Sequence, residues 1–481
     1  VTFTDVPANN NLSTWALVNG GVRINLPSNA AGVSNLCFQW RHTIINNSGT
    51  YIAYRLDDFS VQGNSPGDLI TENFSYTGSK PTFTVPNCVT SLTVEAWGGG
   101  GGGFNGSNSG GGKGGGGGGY AKSTITNLAG PYTVVVGQGG GEHSDGKATT
   151  FGGSLVVADY GRGGTDVISG GGAGGASNTG NVTTSNGGNG GDGNGTGDGG
   201  GGGGGAGGKD GAGKVGADAP DNIGGAGGAG DNGTGGAGGA GGSSNSDGSI
   251  GSDNVLGGGG VGGGDNSANG GNGGLPGAGG GGGENGGGSG GNGAIKISYT
   301  LPENPTISLS STSTSTCYSA SAQNASIAYT ATSGCPDKYS IDFTSGISDV
   351  TDASLSASPI TIPILAELAA GEYSGILTVK NSSYGFVSSN YTVTVTIIAN
   401  STSPTNAVAS PSSVCSGVAT NITLTASGGT MGTGAVVQWY TGSCGGTLVG
   451  TGNPLTISQT FSSATTYYAR YSGDCNETSC V

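Results

Sequence analysis

Apolar and polar residues alternate along two parts of the chain, one before and one after a central block that is rich in glycine. Residues 91–97 (Ser-Leu-Thr-Val-Glu-Ala-Trp) alternate in this way, and so do residues 391–397. A period of two residues is typical of β-strands that bury one face. Because the sequence contains no capped, amphipathic helix pattern of useful length, it predicts an all-β fold.

Short strands are predicted on both sides of the glycine block, and they define a small β-base within a domain spanning residues 68–299. The base comprises residues 68–160 and 294–299. The segment 294–299 (Ala-Ile-Lys-Ile-Ser-Tyr) follows the last glycine run directly, and we expect it to pair beside residues 91–97. The remaining strands predicted for the base are residues 74–76, 81–85, 120–126, 132–136 and 154–158.

Glycine recurs with a period of three inside the block. Every third residue is glycine from Gly224 to Gly242, and the same holds from Gly199 to Gly211 and from Gly271 to Gly286. Three residues per turn is the period of the polyproline-II helix. Without side chains, neighbouring helices of this type can approach closely and exchange backbone hydrogen bonds. The pattern therefore predicts a bundle of polyglycine-II helices, mainly within residues 161–293.

A disordered linker is the alternative interpretation of the block. Residues 161–298 contain no aromatic side chain, so hydrophobic burial cannot offset the entropy lost when the segment becomes ordered. A collagen triple helix is disfavoured, because Pro220 and Pro276 are the only prolines in the block and collagen needs many. The period of three favours the bundle over the linker.

Composition and charge exclude several classes of protein. The chain has 481 residues, of which 112 are glycine, and its formal net charge is -15 with only 14 Lys and Arg residues. Those few basic residues cannot neutralise a phosphate backbone, so we expect no nucleic-acid partner. No apolar run is long enough to span a membrane. The chain begins with Val1 and has no signal segment, so we expect a processed or partial product.

The glycine-rich part resembles a known kind of domain. The motifs are Thr-Phe-Thr-Val-Pro at 82–86, Val-Thr-Ser-Leu-Thr-Val-Glu-Ala-Trp-Gly-Gly-Gly at 89–100, Tyr-Thr-Val-Val-Val-Gly at 132–137 and Gly-Ala-Ile-Lys-Ile-Ser-Tyr at 293–299. In this order they resemble bacterial glycine-rich surface domains. The region is also similar to the glycine-rich region of anaplastic lymphoma kinase family receptors and to polyglycine-II sandwiches in phage tail-tip adhesins.

The N-terminal segment, residues 1–65, resembles part of a jelly-roll or MAM-like domain. The resemblance rests on Leu-Cys-Phe-Gln-Trp at 36–40 and on Tyr-Arg-Leu-Asp-Asp-Phe-Ser-Val at 54–61. Asp57 and Asp58 could bind calcium, or their carboxylates could bond to backbone at a strand start, which we favour. Cys88 stands where the bacterial glycine-rich pattern has glycine, and a Cys37–Cys88 disulfide that joins the first two domains is one hypothesis for it.

Two further modules, residues 302–399 and 404–481, have the length and strand spacing of Ig-like β-sandwiches. The second resembles a module of large secreted Bacteroidota proteins in Val-Cys-Ser-Gly at 414–417, Trp-Tyr-Thr-Gly-Ser-Cys-Gly-Gly at 439–446 and Thr-Tyr-Tyr-Ala-Arg at 466–470. Its last predicted strand begins at Val481, so we expect the native chain to continue beyond that residue.

The cysteines are expected to form disulfides, since they number eight and lack the CxxC spacing of zinc or redox sites. Cys317 and Cys335 flank an early strand of their module, which predicts that they pair. The resemblance of the last module to an Ig-like sandwich implies the pairs Cys415–Cys444 and Cys475–Cys480. Disulfides place the chain outside the cell or on its surface.

No catalytic constellation, cofactor site or metal site is predicted. The chain has two histidines, His42 and His143, and neither belongs to a recognisable nucleophile–base arrangement. Binding is instead expected at loops between polyglycine helices, because loops on a rigid scaffold carry recognition. These loops are residues 176–186, 209–223 and 243–256, with Asn181, Asp210, Asp218, Asp221, Asp247 and Asp253 as candidate binding residues.

The leading hypothesis is therefore a non-enzymatic secreted or cell-surface adhesin. The resemblance to Bacteroidota surface proteins implies export by the type IX pathway, a role in gliding motility and contact with the secretion or motility machinery. The partner would be a cell-surface glycan, a protein or an abiotic surface. One alternative is a structural spacer or filament subunit that self-assembles, and another is an ice-binding surface.

Overall fold

The structure is a computed structural model that describes residues 64–106, 110–165, 171–195, 199–221, 223–243, 246–254 and 268–481. These residues fall into two compact units with a boundary between Glu303 and Asn304. The predicted N-terminal domain, including Cys37, His42, Asp57 and Asp58, lies outside the described residues. The predicted all-β fold is confirmed, and the helix found in the described part is a single short 3-10 turn, Asp231–Gly233.

The β-base consists of two sheets. The five-stranded sheet has the order β1-β9-β3-β4-β8, and the four-stranded sheet has the order β2-β5-β6-β7. The prediction that the closing segment pairs beside residues 91–97 is confirmed, because Ile295 on β9 lies opposite Ala96 on β3 in an antiparallel register. The strands are β1 (Leu69–Ser75), β2 (Thr82–Phe83), β3 (Leu92–Trp97), β4 (Tyr120–Ile125), β5 (Tyr132–Val135), β6 (Thr149–Phe151), β7 (Val156–Ala158), β8 (Thr183–Ser185) and β9 (Ala294–Thr300).

The two sheets pack through the apolar positions of their alternating strands. The ring of Phe83 on β2 lies 6.2 Å from the ring of Phe151 and 6.2 Å from that of Tyr299 on β9. Trp97 and Tyr120 are buried with their rings 5.1 Å apart. This core supplies the hydrophobic burial that the glycine block lacks.

The glycine block forms a bundle of extended segments joined by backbone hydrogen bonds. Successive residues of the segment 98–104 donate in turn to three different neighbouring segments, and every third residue donates to the same neighbour. That repeat is expected of helices with three residues per turn, and it supports the polyglycine-II interpretation over the linker. The donor and acceptor residues are Gly98 to Gly119, Gly101 to Gly116 and Phe104 to Lys113; Gly99 to Lys147 and Gly102 to Ser144; and Gly100 to Gly291 and Gly103 to Gly288.

The bundle is larger than the sequence predicted. Residues 98–106, 111–119 and 137–147, which were assigned to the β-base, form rods within it. Close packing explains their composition, because a Cβ atom on Gly100 would lie 2.0 Å from the carbonyl oxygen of Ala278. Only glycine fits at such a contact. The bundle is therefore defined here as the rods between Gly98 and Gly293.

The first C-terminal module is a sandwich of strands around an aliphatic core. Its largest sheet has the order β11-β19-β17-β14-β15, with β18 paired to β17, and it is faced by the pairs β10-β13 and β12-β16. Strand β11 runs parallel to β19. The strands are β10 (Thr306–Leu309), β11 (Ser313–Cys317), β12 (Gln323–Ile327), β13 (Tyr329–Ser333), β14 (Lys338–Phe343), β15 (Val350–Ser354), β16 (Ile360–Ile364), β17 (Gly371–Asn381), β18 (Phe386–Val387) and β19 (Tyr391–Ile398).

The second C-terminal module contains two three-stranded sheets, β20-β21-β24 and β23-β22-β25. Trp439 is buried between them, and its indole nitrogen donates a 2.9 Å hydrogen bond to the carbonyl oxygen of Gly452. Val481 exchanges two 3.0 Å backbone hydrogen bonds with Ala469. The strands are β20 (Asn406–Ser410), β21 (Ala419–Ser427), β22 (Val436–Thr441), β23 (Thr447–Thr451), β24 (Leu455–Thr460) and β25 (Tyr467–Ser472).

Three of the four predicted disulfides are wrong. Cys317 pairs with Cys475 instead of Cys335, although Cys335 is itself disulfide-bonded. Cys444 pairs with Cys480, so the predicted Cys415–Cys444 and Cys475–Cys480 pairs do not form, and Cys415 is a free, exposed thiol.

The predicted Cys317–Cys335 and Cys475–Cys480 pairs each lie within one module, whereas Cys317 and Cys475 belong to adjacent modules and meet where these modules join. Cys317 ends β11 directly opposite Ile398, where the chain leaves the first module, and the sulfur of Cys475 lies 3.9 Å from the carbonyl oxygen of Ile398. Cys317 and Cys475 therefore lie within disulfide range of each other, with their Cα atoms 5.5 Å apart. The Cys37–Cys88 pairing stays a prediction, because Cys37 lies outside the described residues.

Candidate binding surface of the glycine-rich bundle

The acidic residues that we predicted as binding residues lie at the rim of the bundle, and their carboxylates bond to backbone. One oxygen of Asp218 accepts a 2.7 Å hydrogen bond from the amide of Asp192. Asp247 and Asp253 accept equivalent 2.7 Å bonds from the amides of Asn269 and Leu275. An outer rod lacks a neighbour on one side, so these carboxylates replace the missing carbonyl acceptors.

The other three predicted residues also make structural contacts. The amide group of Asn181 forms two 2.8 Å hydrogen bonds with the backbone of Thr124, which extends the pairing of β8 with β4. Asp221 accepts a 3.2 Å bond from the side chain of Asn194. Asp210 accepts a 3.0 Å bond from the hydroxyl of Thr234 and forms an ion pair with the exposed Lys209. Because residues 183–185 of the predicted loop 176–186 form strand β8, which pairs with β4, this loop is part of the β-base.

The same rim arrangement recurs at residues that sequence reasoning missed. Oxygens of Asp145, Asn189 and Asn272 each accept a backbone N–H bond of 2.8–2.9 Å, as does Glu142. The sequence signal for rim residues is a spacing in multiples of three, which the predicted residues Asp247 and Asp253 illustrate. Asp247 and Asp253 are six residues apart, which is two turns of a polyglycine-II helix and places both on one face.

Asp231 is a buried carboxylate that the sequence analysis did not single out. It is fully buried, with a positive φ of 44°, and it accepts hydrogen bonds from the amides of Asp210 (2.6 Å) and Gly211 (3.2 Å). A Cβ atom on Gly208 would lie 2.4 Å from its carboxylate. The Asp-Asn-Gly sequence at 231–233 is typical of a turn, but a turn sequence does not indicate burial. Asp231 therefore fixes the turn at 208–211.

A buried polar network lies in the five-stranded sheet of the base. The phenol of Tyr120 donates a 2.7 Å hydrogen bond to Glu95, whose other oxygen lies 2.9 Å from the ammonium of Lys296. Burial and the neighbouring carboxylate raise the pKa of Tyr120 far above its ordinary value. Burial alone would raise the pKa of Glu95, but Lys296 and Tyr120 hold this pKa below its ordinary value. Glu95 is therefore ionised and Tyr120 neutral at pH 7.

The described residues contain little that suggests catalysis. His143 lies 3.3 Å from Glu142, and its ring packs 4.2 Å from that of Phe104. Across the described ranges, no three His, Cys, Asp or Glu side chains come together in a way that could hold a metal ion. In the same ranges no helix has the length and hydrophobicity to cross a membrane. What the rim offers chemically is a set of fixed hydrogen-bond acceptors beside small side chains.

Comparison with known proteins finds family models that match the glycine-rich domain and the second C-terminal module. Residues 75–300 match the model of a glycine-rich domain. Residues 402–481 match the model of an Ig-like domain described as CHU_C associated. The chain is thus similar to these two families over those residues. A comparison with curated proteins found no match.

Solved structures with some likeness to the chain include three multidomain proteins. Fibronectin(III)-like modules of Clostridium thermocellum CbhA are 16% identical over 37% of this chain and 90% of theirs, with a TM-score of 0.23. The BSP domain of a biofilm associated protein is 9% identical over 37% of this chain and 28% of its own (TM-score 0.14). Three N-terminal domains of the bacteriophage RB49 outer capsid protein Hoc are 16% identical over 36% of this chain and 58% of their own (TM-score 0.18). At these scores the likenesses support no assignment.

Proposed function

We propose that the chain is part of a secreted or cell-surface adhesin without enzymatic activity. The observation that carries this proposal is the bundle, in which backbone hydrogen bonds join every rod to its neighbours and the β-base closes both ends of the block. Such a unit holds its surface side chains in fixed positions. It presents them without the cost of ordering a loop at the moment of binding.

The Ig-like modules are proposed as the stalk. Residues 402–481 match an Ig-like domain, and the Cys317–Cys475 disulfide ties this module to the preceding one. Disulfides persist in oxidising compartments, which supports an extracellular location. Export by the type IX pathway, a place in gliding motility and a Bacteroidota source remain parts of the proposal that rest on the sequence resemblance.

The binding surface is proposed to lie on the outer rods, in residues 209–221 and 246–254. These segments expose Val215 and Ile250, with 62% and 69% of each residue accessible, beside the carboxylates of Asp218 and Asp247. The partner would be a cell-surface glycan, a protein or an abiotic surface. The loop 176–186 contributes strand β8 to the base, so it lies outside the proposed surface.

The experiment is adhesion of beads coated with the intact chain to cells and to glass. A variant in which Val215 and Ile250 are replaced by Ser and Asp218 and Asp247 by Asn keeps the amide-oxygen acceptors that the rim needs. We expect this variant to fold and to lose adhesion. Full adhesion by the folded variant would contradict the proposed surface. Self-association of the intact chain at micromolar concentration, with no binding to cells, would favour the structural spacer.

A further inference from the structure

A cleft of about 530 Å³ opens where the bundle meets the β-base. It lies between the end of β1, the last turn of the rod 246–254, the turn after the rod 268–275 and the start of β9. Its volume is within the range of small-molecule sites, about 300–1,000 Å³. The side chains that line it and matter here are Tyr76, Asp253, Asn254, Leu275, Pro276 and Asn292.

One wall of the cleft is aromatic and aliphatic. Tyr76 is half-buried, and its hydroxyl donates a 3.1 Å hydrogen bond to the side-chain oxygen of Gln138, which restrains the ring. Leu275 lies opposite on the turn with 44% of its surface exposed, and Pro276 beside it is buried. An aromatic ring with an aliphatic neighbour offers a flat apolar surface to a ligand.

The rim of the cleft supplies polar groups whose positions are fixed. One oxygen of Asp253 is held by the amide of Leu275 at 2.7 Å, and within the described residues its second oxygen makes no hydrogen bond. The side-chain oxygen of Asn292 accepts a 2.8 Å bond from the amide of Gly139, which leaves the NH₂ group of Asn292 as a donor. The cleft thus pairs an ionised acceptor with a neutral donor.

The charge of the lining decides the class of ligand. Among the described residues that line the cleft there is no Lys, Arg or His, and Asp253 is the one carboxylate, so an anionic ligand such as a phosphate or an acidic sugar is disfavoured. A ligand with an apolar face and several hydroxyl groups fits both the wall and the rim. We propose that this cleft binds one or two rings of a neutral saccharide, with Tyr76 under a ring face and Asp253 accepting from hydroxyls. This inference rests on the proposed adhesin function, which it makes more specific.

The test is calorimetric titration of the intact chain with cellobiose, lactose and maltose, each to about 10 mM, because isolated sugar sites bind weakly. Binding of at least one disaccharide is expected. Tyr76→Ala and Asp253→Asn should each weaken it about tenfold or more, a loss of about 1.4 kcal/mol. Asp253→Asn keeps the oxygen that the amide of Leu275 needs, so the rim should stay intact, and unchanged thermal unfolding would show this.

Asp145→Asn is the matched control, since Asp145 also accepts a backbone N–H bond at the rim but does not line the cleft. It should bind sugar like the parent chain. No binding of any of the three disaccharides, or equal losses of sugar affinity in the Asp145 and Asp253 variants, would overturn the proposal. Stronger binding of choline than of sugar at Tyr76 would also overturn it, in favour of a cation. Bead adhesion that persists when sugar binding fails would reject the cleft and leave the adhesin function standing.

Discussion

Cys317, at the end of β11, is bonded to Cys475 in the next module, with their Cα atoms 5.5 Å apart. The joint between the modules has further contacts. Asn476 exchanges two hydrogen bonds, of 2.7 and 2.9 Å, with the backbone of Ser401, and Asn400 donates one to the carbonyl oxygen of Tyr318. The two modules are therefore held as one stiff piece.

Replacing Cys317 and Cys475 by Ser should leave both modules folded but loosen this joint. Each module keeps its own core, so only the relative orientation loses a restraint. Spin labels at the exposed Ser382 and Leu448, in a Cys415→Ser background, would report a broadened distance distribution. The matched control is Cys444→Ser with Cys480→Ser, which removes a disulfide within one module and should not broaden the distances. An unchanged distribution in the first variant would contradict a role for the disulfide in stiffness.

A methyl group in the centre of the bundle should be far more damaging than one at its surface. A Cβ atom on Gly203 would lie 2.1 Å from the carbonyl oxygen of Gly279, whereas a Cβ atom on Gly141 meets nothing within 4 Å. Gly203→Ala should lower the free energy of unfolding by about 1–3 kcal/mol or more, and Gly141→Ala by less than about 1 kcal/mol. Denaturant unfolding measures both, and equal effects would mean that the rods are not packed as described.

The buried Asp231 should be more sensitive to truncation than to loss of charge. Asp231→Ala removes the acceptor for two backbone amides and should cost about 1–3 kcal/mol. Asp231→Asn retains one oxygen acceptor and should cost less. Thermal unfolding orders the two variants, with Asp210→Asn at the exposed neighbour as the control. A larger loss of stability in Asp231→Asn than in Asp231→Ala would show that the carboxylate does not hold the turn.

Tyr120 should make the chain less stable in alkali. The unfolded chain ionises its tyrosines near pH 10, but the folded chain keeps Tyr120 neutral because its pKa is raised. The stability from this residue is thus complete below about pH 10 and falls as the pH rises further. Tyr120→Phe removes this part of the pH dependence, which urea unfolding at several pH values would detect. The same alkaline slope in both proteins would argue against the buried network.

The sequence predicted the structure correctly where a short pattern of residue types repeats along the chain. The period of three in glycine predicted the rods, and the alternation in residues 91–97 and 294–299 predicted two strands that pair. Strands β8 and β11 were missed because Thr-Thr-Ser at 183–185 and Ser-Thr-Ser-Thr-Cys at 313–317 carry no apolar alternation. They form because their neighbours offer an open edge, which is a long-range property.

The roles of the rim carboxylates at the candidate site also depend on long-range neighbours that the local sequence does not specify. Asp218, Asp247 and Asp253 sit at breaks in the glycine pattern, and this position indicated loops available for binding. Whether a carboxylate faces solvent or a backbone amide depends on which rod lies beside it, and a local sequence does not specify that neighbour. Of the six predicted residues, only Asp253 lines the cleft where we propose binding.

Amide hydrogen exchange of residues 199–243 in the intact chain tests the bundle most directly. Gly201, Gly204 and Gly207 donate at intervals of three to Gly112, Gly115 and Gly118 in the rod at 111–119. These amides should exchange slowly, with protection comparable to that of β9 in the base. Exchange at the rate of an unfolded chain throughout this segment would contradict the bundle and restore a disordered linker.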